Sequence, residues 1–367
     1  MRRERTVASA QYVGGRFENP SGLGPGLQGA KLPILGEFFF RKGRREPGVV
    51  LPVDDPRPVW AARASSGFRV TWLGHSTVLL ELEGRRVLTD PVFGDRASPV
   101  SFAGPKRFHP VPVPIDALPA LDAVILSHDH YDHLCRPSIE ALARRRVPIV
   151  TALGVGEHLE RFGVDPACII ELDWHESAQV GGVFFTATPA QHFSGRGVGG
   201  RNQTLWASWV IATDRRKVFF SGDTGLTPEF ERIGRRHGPF DLVMLEVGAY
   251  HPAWGSIHLG PENALEAFQM LGGGTLLPVH WGTFNLGLHD WDEPAETLLR
   301  LATERDARIL TPRLGGVFEP EHVERPAPWW REIPHERPVT ERLSPALHES
   351  PALRGDSALV GPGEPRS

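Results

Sequence analysis

The sequence SHDHYDHL, Ser127 to Leu134, places three histidines and two aspartates within six consecutive positions. It overlaps the end of the apolar run DAVILS, 122–127, which is typical of a buried strand. The titratable side chains therefore lie where a strand ends, on a rigid frame that opens into a cleft. Imidazole nitrogens and carboxylate oxygens are ligands that zinc accepts, and this cluster suits two metal ions better than one.

Three further residues of ligand type follow apolar strands elsewhere in the chain. His192 comes after VFFTAT (183–188), Asp223 after KVFFS (217–221) and His280 after TLLPV (275–279). A single histidine after a strand is more often a hydrogen-bonded structural residue than a ligand. The four elements together nevertheless predict a site with five histidines and two aspartates, because unrelated causes would have to place all four alike.

The motif HxHxDH, followed by a later histidine, the aspartate of GDTG and a final histidine, resembles the metallo-β-lactamase superfamily. Further segments, among them VTWLGHSTVLLEL, LTDPVFGDRASP, GPKRF and HWGTF, extend the likeness. They resemble the N-acylphosphatidylethanolamine-hydrolysing phospholipase D family and its bacterial relatives, which include ascorbate-phosphate lactonase-like proteins. The resemblance covers about residues 68–318 and implies an α+β fold, a four-layered αββα sandwich.

The resemblance also implies two Zn²⁺ ions, with Mn or Fe as alternative metals. It assigns one ion to a first set of ligands, namely His128, His130 and His192. It assigns the other ion to a second set, namely Asp132, His133 and His280. Asp223 would bridge the two ions, and Asp132 is also predicted to take part in catalysis.

Five more residues are candidates for supporting the metals or contacting the substrate. Asp90, in LTDP, either orients a ligand histidine or caps a turn. His258, in GSIHLGPENAL, is predicted to contact the substrate phosphate or to transfer a proton; the alternative is that it only forms a hydrogen bond to the backbone. His75 and Tyr131 either approach the centre or have structural roles, and Trp254 is predicted to line the substrate cleft.

The reaction expected from such a site is attack of a metal-bridging hydroxide on a phosphodiester. The resemblance implies a phospholipase D-type reaction on N-acylphosphatidylethanolamine-like lipids. In the segment GAYHPAWGSIHL, however, His251, Ala253 and Ile257 replace the acidic residue, arginine and glutamine of the lipid-hydrolysing members. Head-group recognition therefore does not follow from the resemblance.

Two other functions stay open. One is a lactonase or phosphodiesterase for a small soluble substrate, and the other is a non-catalytic metal-binding protein on the same fold. An apolar channel lined by Phe93, Phe102 and Trp254 would favour a lipid, whereas a small polar pocket would not.

Composition restricts the partners and the compartment. The 367 residues carry a formal net charge of −4, which argues against broad nucleic-acid binding. The two cysteines, Cys135 and Cys168, are predicted to be buried or half-buried. Without a signal-like or spanning apolar run, the expected location is cytoplasmic. The apolar and basic segment 32–45 either contacts the inner membrane surface peripherally or packs on the core.

Three regions are expected along the chain: an irregular arm at 1–65, the hydrolase domain at 66–319, and a Pro-rich, largely disordered tail at 320–367 in which Trp329 and Trp330 can dock. Helices are predicted at 137–146, 154–162, 228–236, 261–271 and 294–307. Strands are predicted at 68–74, 77–82, 86–90, 122–127, 148–152, 168–172, 183–188, 205–212, 217–221, 241–247, 275–279 and 307–311.

Overall fold

A seven-stranded sheet is built from the first half of the chain and closed by one late strand. The computed structural model describes residues 2–22, 43–197 and 200–334. The spatial order of the strands is β15-β3-β4-β5-β6-β7-β8, antiparallel from β15 to β5 and parallel from β5 to β8. The strands are β3 (Phe68–Gly74), β4 (Thr77–Leu82), β5 (Arg85–Thr89), β6 (Ala123–Leu126), β7 (Ile149–Ala152), β8 (Ile169–Leu172) and β15 (Val317–Phe318).

A six-stranded sheet comes from the second half, in the order β14-β13-β12-β11-β10-β9. Its pairs are antiparallel from β9 to β12 and parallel from β12 to β14. The strands are β9 (Ser177–Val180), β10 (Val183–Thr188), β11 (Ser208–Ala212), β12 (Lys217–Phe220), β13 (Leu242–Glu246) and β14 (Leu276–Val279). A separate hairpin pairs β1 (Tyr12–Val13) with β2 (Arg16–Phe17).

The two large sheets pack face to face because alternate side chains of their strands are apolar. Val70 and Trp72 of β3 share a core cluster with Phe185 of β10 and Trp209 of β11. Leu73, which alternates with Trp72, belongs instead to a second cluster on the outer face of the first sheet. The main core therefore lies between the sheets.

Helices cover both outer faces. Ile139 and Leu142 of α3 pack on the first sheet, while Phe230 of α5 and Leu298 of α7 pack on the second. The helices are α1 (Arg2–Ala8), α2 (Arg57–Trp60), α3 (Arg136–Arg144), α4 (Gly156–Arg161), α5 (Glu229–His237), α6 (Gly260–Met270) and α7 (Glu293–Glu304). The predicted αββα sandwich is confirmed.

One predicted strand is absent from the structure, and two strands of the large sheets were not predicted. The segment 307–311 is not a strand; Ile309 forms only an isolated bridge with Leu276. Strand β9 escaped prediction because its side chains are exposed or half-buried and lack an apolar alternation. Strand β15 is only two residues long, too short for a periodic signal.

The predicted limits of the arm and the tail need correction. The described residues before Pro334 belong to one compact unit. The arm is not wholly irregular, because α1 is ordered and Arg5 Nη1 donates to the Glu171 carbonyl at 2.7 Å. Beyond residue 319, Trp329 and Trp330 are 2% and 1% exposed and join the main core, so the fold extends to at least 334. The rest of the predicted disordered tail, 335–367, lies outside the described residues.

Most of the predicted membrane-contact segment, 32–42, also lies outside the described residues. Within its described end, the Arg44 guanidinium lies 3.6 Å from a carboxylate oxygen of Asp290 and 3.5 Å from one of Asp292. None of the helices in the described ranges has the length and apolarity needed to span a bilayer. Both cysteines are free and buried, as predicted.

Candidate metal centre

The predicted ligand residues meet at one edge of the sandwich. SHDHYDHL follows β6, while His192, Asp223 and His280 follow β10, β12 and β14. Gly222 makes this approach possible, because a Cβ at that position would lie 2.6 Å from the Ser127 Cβ. Its backbone also has φ +56°, which glycine adopts without strain.

One group of side chains consists of His128, His130, His192 and Asp223. The His130 Nδ1 atom lies 2.9 Å from His128 Nε2 and 3.3 Å from His192 Nε2. Asp223 Oδ2 lies 3.9 Å from the same His128 nitrogen and 3.8 Å from that of His192. These three histidines are the ones that the resemblance assigns to a single ion.

A second group contains Asp132, His133 and His280, the other predicted set, together with His75. Asp132 Oδ2 lies 3.1 Å from His75 Nε2, 3.2 Å from His280 Nε2 and 3.5 Å from His133 Nε2. His75 thus approaches the centre itself, although a turn role was an equal alternative from the sequence.

Asp223 lies between the two groups. Its Oδ1 atom is 3.1 Å from His133 Nε2, and its Oδ2 atom is 3.1 Å from His280 Nε2. The same carboxylate therefore reaches members of both predicted ligand sets, as a bridging ligand must.

Burial and neighbouring charges shift the pKa values of these groups in different directions. Burial, together with nearby imidazoles, lowers the pKa of His128 well below its usual value, which keeps the ring neutral. Burial raises the pKa of Asp223, but His133 and His280 outweigh this effect and hold the carboxyl ionised. Burial lowers the pKa of His280, yet Asp223 and Asp132 together raise it to about 10. The carboxylates thus attract a cation, either a proton on an imidazole or a metal ion.

The residues fit a pair of divalent metal ions. His133 Nε2 and Asp223 Oδ1 are both buried and lie 3.1 Å from each other, but neither forms a hydrogen bond of good geometry within the described ranges. Buried polar atoms of this kind usually have a partner such as an ion. Nitrogen and carboxylate donors suit zinc, and also iron or manganese.

Asp90 holds one of the predicted ligands in place. Its Oδ2 atom accepts from His133 Nδ1 at 2.6 Å and from Ser127 Oγ at 2.6 Å, and its Oδ1 atom accepts from Ser127 N at 2.7 Å. The hydrogen bond to Nδ1 leaves His133 Nε2 as the atom that faces the centre. The structure therefore places Asp90 where the orienting role requires it.

The first aspartate of the run, Asp129, has a different position. Its Oδ1 atom accepts from the Gly195 amide at 2.8 Å, and its other oxygen lies 3.4 Å from His158 Nε2. This carboxylate ties the loop after β6 to the loop after β10. It belongs to neither metal group.

His258 lies over the centre together with an acidic residue that the sequence did not single out. Its ring centroid is 5.1 Å from that of His192 and 5.6 Å from that of His280. Its Nδ1 atom is 3.2 Å from both carboxylate oxygens of Glu246, which is fully buried. Glu246 ends β13, an apolar strand whose position between β12 and β14 was the one signal that could have revealed it.

The last two predicted residues lie at the margin. The Trp254 ring is half-buried, and its centroid is 6.3 Å from that of His258. Tyr131 points away from the metal groups, with its hydroxyl donating to the Arg196 carbonyl at 2.7 Å. Trp254 therefore lies near the centre, whereas Tyr131 belongs to an adjoining cavity.

This site on an αββα sandwich defines a metal-dependent hydrolase of the metallo-β-lactamase superfamily. The chain belongs to that superfamily, because the family model described as a β-lactamase superfamily domain matches residues 85–281. An uncharacterized protein of Mycobacterium tuberculosis is 47% identical over 302 residues, covering 81% of this chain and 80% of the relative. The N-acyl-phosphatidylethanolamine-hydrolyzing phospholipase D 1 of Caenorhabditis elegans is 36% identical over 330 residues, covering 83% and 92%.

Solved structures agree on the fold. An isothiocyanate hydrolase from Delia radicum gut bacteria has a TM-score of 0.55 at 24% identity, covering 68% of this chain and 98% of that one. A possible metal-dependent hydrolase from Veillonella parvula has a TM-score of 0.56 at 17% identity, with the same coverage. At such identities these likenesses support the architecture alone.

Proposed function

We propose that the protein is a dinuclear zinc phosphodiesterase of phospholipase D type that acts on N-acylphosphatidylethanolamine-like lipids. The observation that carries this proposal is that Asp223, a member of the first group, also contacts His133 and His280 of the second group, with His258 over both. The similarity to the Caenorhabditis elegans enzyme, which spans 92% of that relative, supports the lipid substrate.

When bound, the two metals supply a nucleophilic water at neutral pH and stabilise charge on the phosphoryl oxygens. His128, His130 and His192 would hold one ion, while Asp132, His133 and His280 would hold the other. Asp223 would bridge them and keep them a fixed distance apart. Asp90 keeps His133 in the orientation that directs its Nε2 atom to the centre.

His258 has the geometry of a proton donor to the leaving alcohol. Glu246 accepts from Nδ1 and outweighs the effect of burial, which raises the pKa of His258 so that the ring can carry a second proton, on Nε2. In the reaction, the water oxygen forms a bond to phosphorus and the bond from phosphorus to the alcohol oxygen breaks. His258 then donates a proton to that oxygen, which yields the phosphatidic acid and the N-acylethanolamine.

Leaving groups of different basicity test this role. p-Nitrophenolate departs without protonation, whereas the alkoxide of the lipid needs a proton. We expect Glu246→Gln to lower kcat about 100-fold on N-acylphosphatidylethanolamine but less than about tenfold on bis-p-nitrophenyl phosphate. Equal losses on both substrates would contradict the assignment of His258 as an acid.

Glu171→Gln is a matched control for this substitution. Glu171 is likewise a buried acidic residue in a strand of the sandwich, and it accepts from the Gly156 amide at 2.8 Å. It lies outside the metal groups, so the ratio of the two rates should stay as in the wild type. Metal analysis accompanies the assays, and about two zinc ions per chain are expected.

A small soluble phosphodiester or lactone is a second candidate substrate, and one observation favours it. The cavity beside SHDHYDHL is lined by arginine and serine side chains as well as apolar ones. Neither Phe93 nor Phe102, which were predicted to line an apolar channel, contributes to it. Phe102 is 82% exposed, and Phe93 packs against the outer cluster of the first sheet. Turnover of simple lactones without turnover of the lipid would select this candidate.

A further inference from the structure

A cavity of about 540 Å³ adjoins the loop that carries SHDHYDHL. Four guanidinium groups line it, those of Arg96, Arg136, Arg161 and Arg196, against the single carboxylate of Asp95. We call this cavity the arginine cleft. Its volume is in the range of sites that bind small molecules.

The arginine cleft is built by two of the loops that carry the predicted metal ligands. Tyr131, which lines it, lies between His130 and Asp132 in the sequence. Arg196 follows His192 by four residues, and its guanidinium carbon lies 4.1 Å from the centroid of the Tyr131 ring. A molecule in the cleft would therefore contact the same loops that position the metal centre.

Two of the guanidinium groups have only neutral partners. Arg196 donates from Nη1 to the carbonyls of Asp129 and Leu134, and Arg96 donates to two carbonyls of its own loop. Across the described ranges, neither forms an ion pair with a carboxylate within 4 Å. Both guanidinium groups therefore lack a direct ionic partner in the described part of the chain, and the carboxylates of Asp129 and Asp132 act on Arg196 only from farther away.

Three more arginines contribute positive charge in or next to the arginine cleft. Arg107 is 8% exposed, and its guanidinium donates to the carbonyls of Gly94, which lines the cleft, and Val92. Arg136 and Arg161 pair with acidic residues one helical turn away, but these pairs are exposed and contribute little. Among the described residues, the cleft lining thus carries four arginines and one aspartate in a chain whose net charge is −4, which favours an anionic ligand.

We propose that the arginine cleft is a substrate subsite that binds a phosphate-type oxyanion outside the metal centre. Guanidinium groups offer paired donors that match two oxygens of a phosphate. The Phe162 and Val100 side chains of the same cleft would contact the carbon atoms next to that group. The oxyanion is carried either by a soluble molecule or by a lipid headgroup. This inference rests on the proposed function, because it takes the metal centre as the place of reaction.

Binding measurements on the metal-loaded full chain test the subsite. The double variant Arg136→Gln/Arg161→Gln removes two charges at side chains that are each 63% exposed, so the fold should be retained. In one arm, calorimetry measures the affinity for glycerol 2-phosphate. In the other arm, sedimentation measures binding to phosphatidylcholine vesicles with and without phosphatidic acid. A phosphate bound at the metals contributes equally in all variants, so the comparison isolates the cleft.

Arg235→Gln is the matched control, since Arg235 pairs with Glu231 one turn away on α5 and is 67% exposed. We expect at least tenfold weaker binding for the double variant and wild-type binding for the control. A loss confined to glycerol 2-phosphate identifies a soluble phosphate, and a loss confined to phosphatidic acid vesicles identifies a headgroup. Equal affinity of the double variant, the control and the wild type in both arms would overturn the proposal.

Arg196→Lys provides a second, independent variant that keeps the charge but loses the paired donors. It should also weaken binding, and unchanged binding would count against recognition by a guanidinium. A separate assay, independent of the binding measurements, tests the proposed function. Absence of metal-dependent turnover of bis-p-nitrophenyl phosphate by the wild type would refute that function, whatever the cleft binds.

Discussion

Replacing Asp90 by asparagine isolates its electrostatic support of His133, one of the predicted metal ligands. The carboxylate is fully buried and accepts three hydrogen bonds, from Ser127 N, Ser127 Oγ and His133 Nδ1. Its backbone has φ +32°, and asparagine tolerates positive φ better than most residues. Asp90→Asn therefore removes charge and one acceptor with little change of shape or backbone strain.

The expected cost follows from the geometry. If the amide oxygen takes the place of Oδ2, the amide NH₂ faces the Ser127 amide; if it is flipped, the NH₂ faces His133 Nδ1 and Ser127 Oγ. Either orientation leaves at least one buried donor without an acceptor, at about 1–3 kcal/mol of folding free energy. Loss of the carboxylate behind His133 should weaken zinc binding about 10- to 100-fold, or about 1.4–2.7 kcal/mol.

Zinc competition against a chelator of known affinity measures the second effect, and urea unfolding measures the first. Asp122→Asn is the matched control. Asp122 precedes β6 and accepts from the Arg86 amide of β5 at 2.8 Å, at the opposite end of the same pair of strands. The Asp122→Asn variant should have a lower free energy of unfolding but the same zinc affinity as the wild type. The reasoning fails if Asp90→Asn binds zinc as tightly as the wild type or the Asp122 variant.

Asp223→Ala should reduce the zinc content to below about one ion per chain and abolish turnover, because this carboxylate contacts both groups; two retained ions, by elemental analysis, would exclude a bridging role. His128→Ala should keep about one ion and also lose turnover. Hydrogen bonds from Ser66 and Ser65 outweigh the effect of burial and lower the Glu319 pKa from 4.5 to about 2. Glu319 therefore stabilises the fold above pH 4.5, and this contribution is lost as the pH falls toward 2. Glu319→Gln should cost about 1–2 kcal/mol in urea unfolding at pH 7 and progressively less below pH 4.5; a constant difference would contradict this. Trp330→Ala should cost about 3–5 kcal/mol, since the ring is 1% exposed; a loss under 1 kcal/mol would show that the segment after 319 does not stabilise the fold.

Local patterns predicted most of the fold. The apolar runs 77–82 and 183–188 coincide with β4 and β10. Every side chain of β4 is buried, and so is at least every second side chain of β10. The segment 307–311 has the same local composition, yet it forms only one bridge. Whether an apolar run becomes a strand depends on a neighbouring strand with free edge groups, which composition does not encode.

The sequence by itself determined the candidate ligand residues, because such residues at the ends of strands leave a local mark of an apolar run followed by His or Asp. Only the tertiary structure decided how these residues group. His75 and Asp132 are 57 positions apart yet lie 3.1 Å from each other, and Glu246, the last residue of an otherwise apolar strand, contacts His258. The arginine cleft likewise combines loops whose separation along the chain carries no signal. Such juxtapositions arise from sheet packing, which joins segments by shape and burial rather than by their spacing in the sequence.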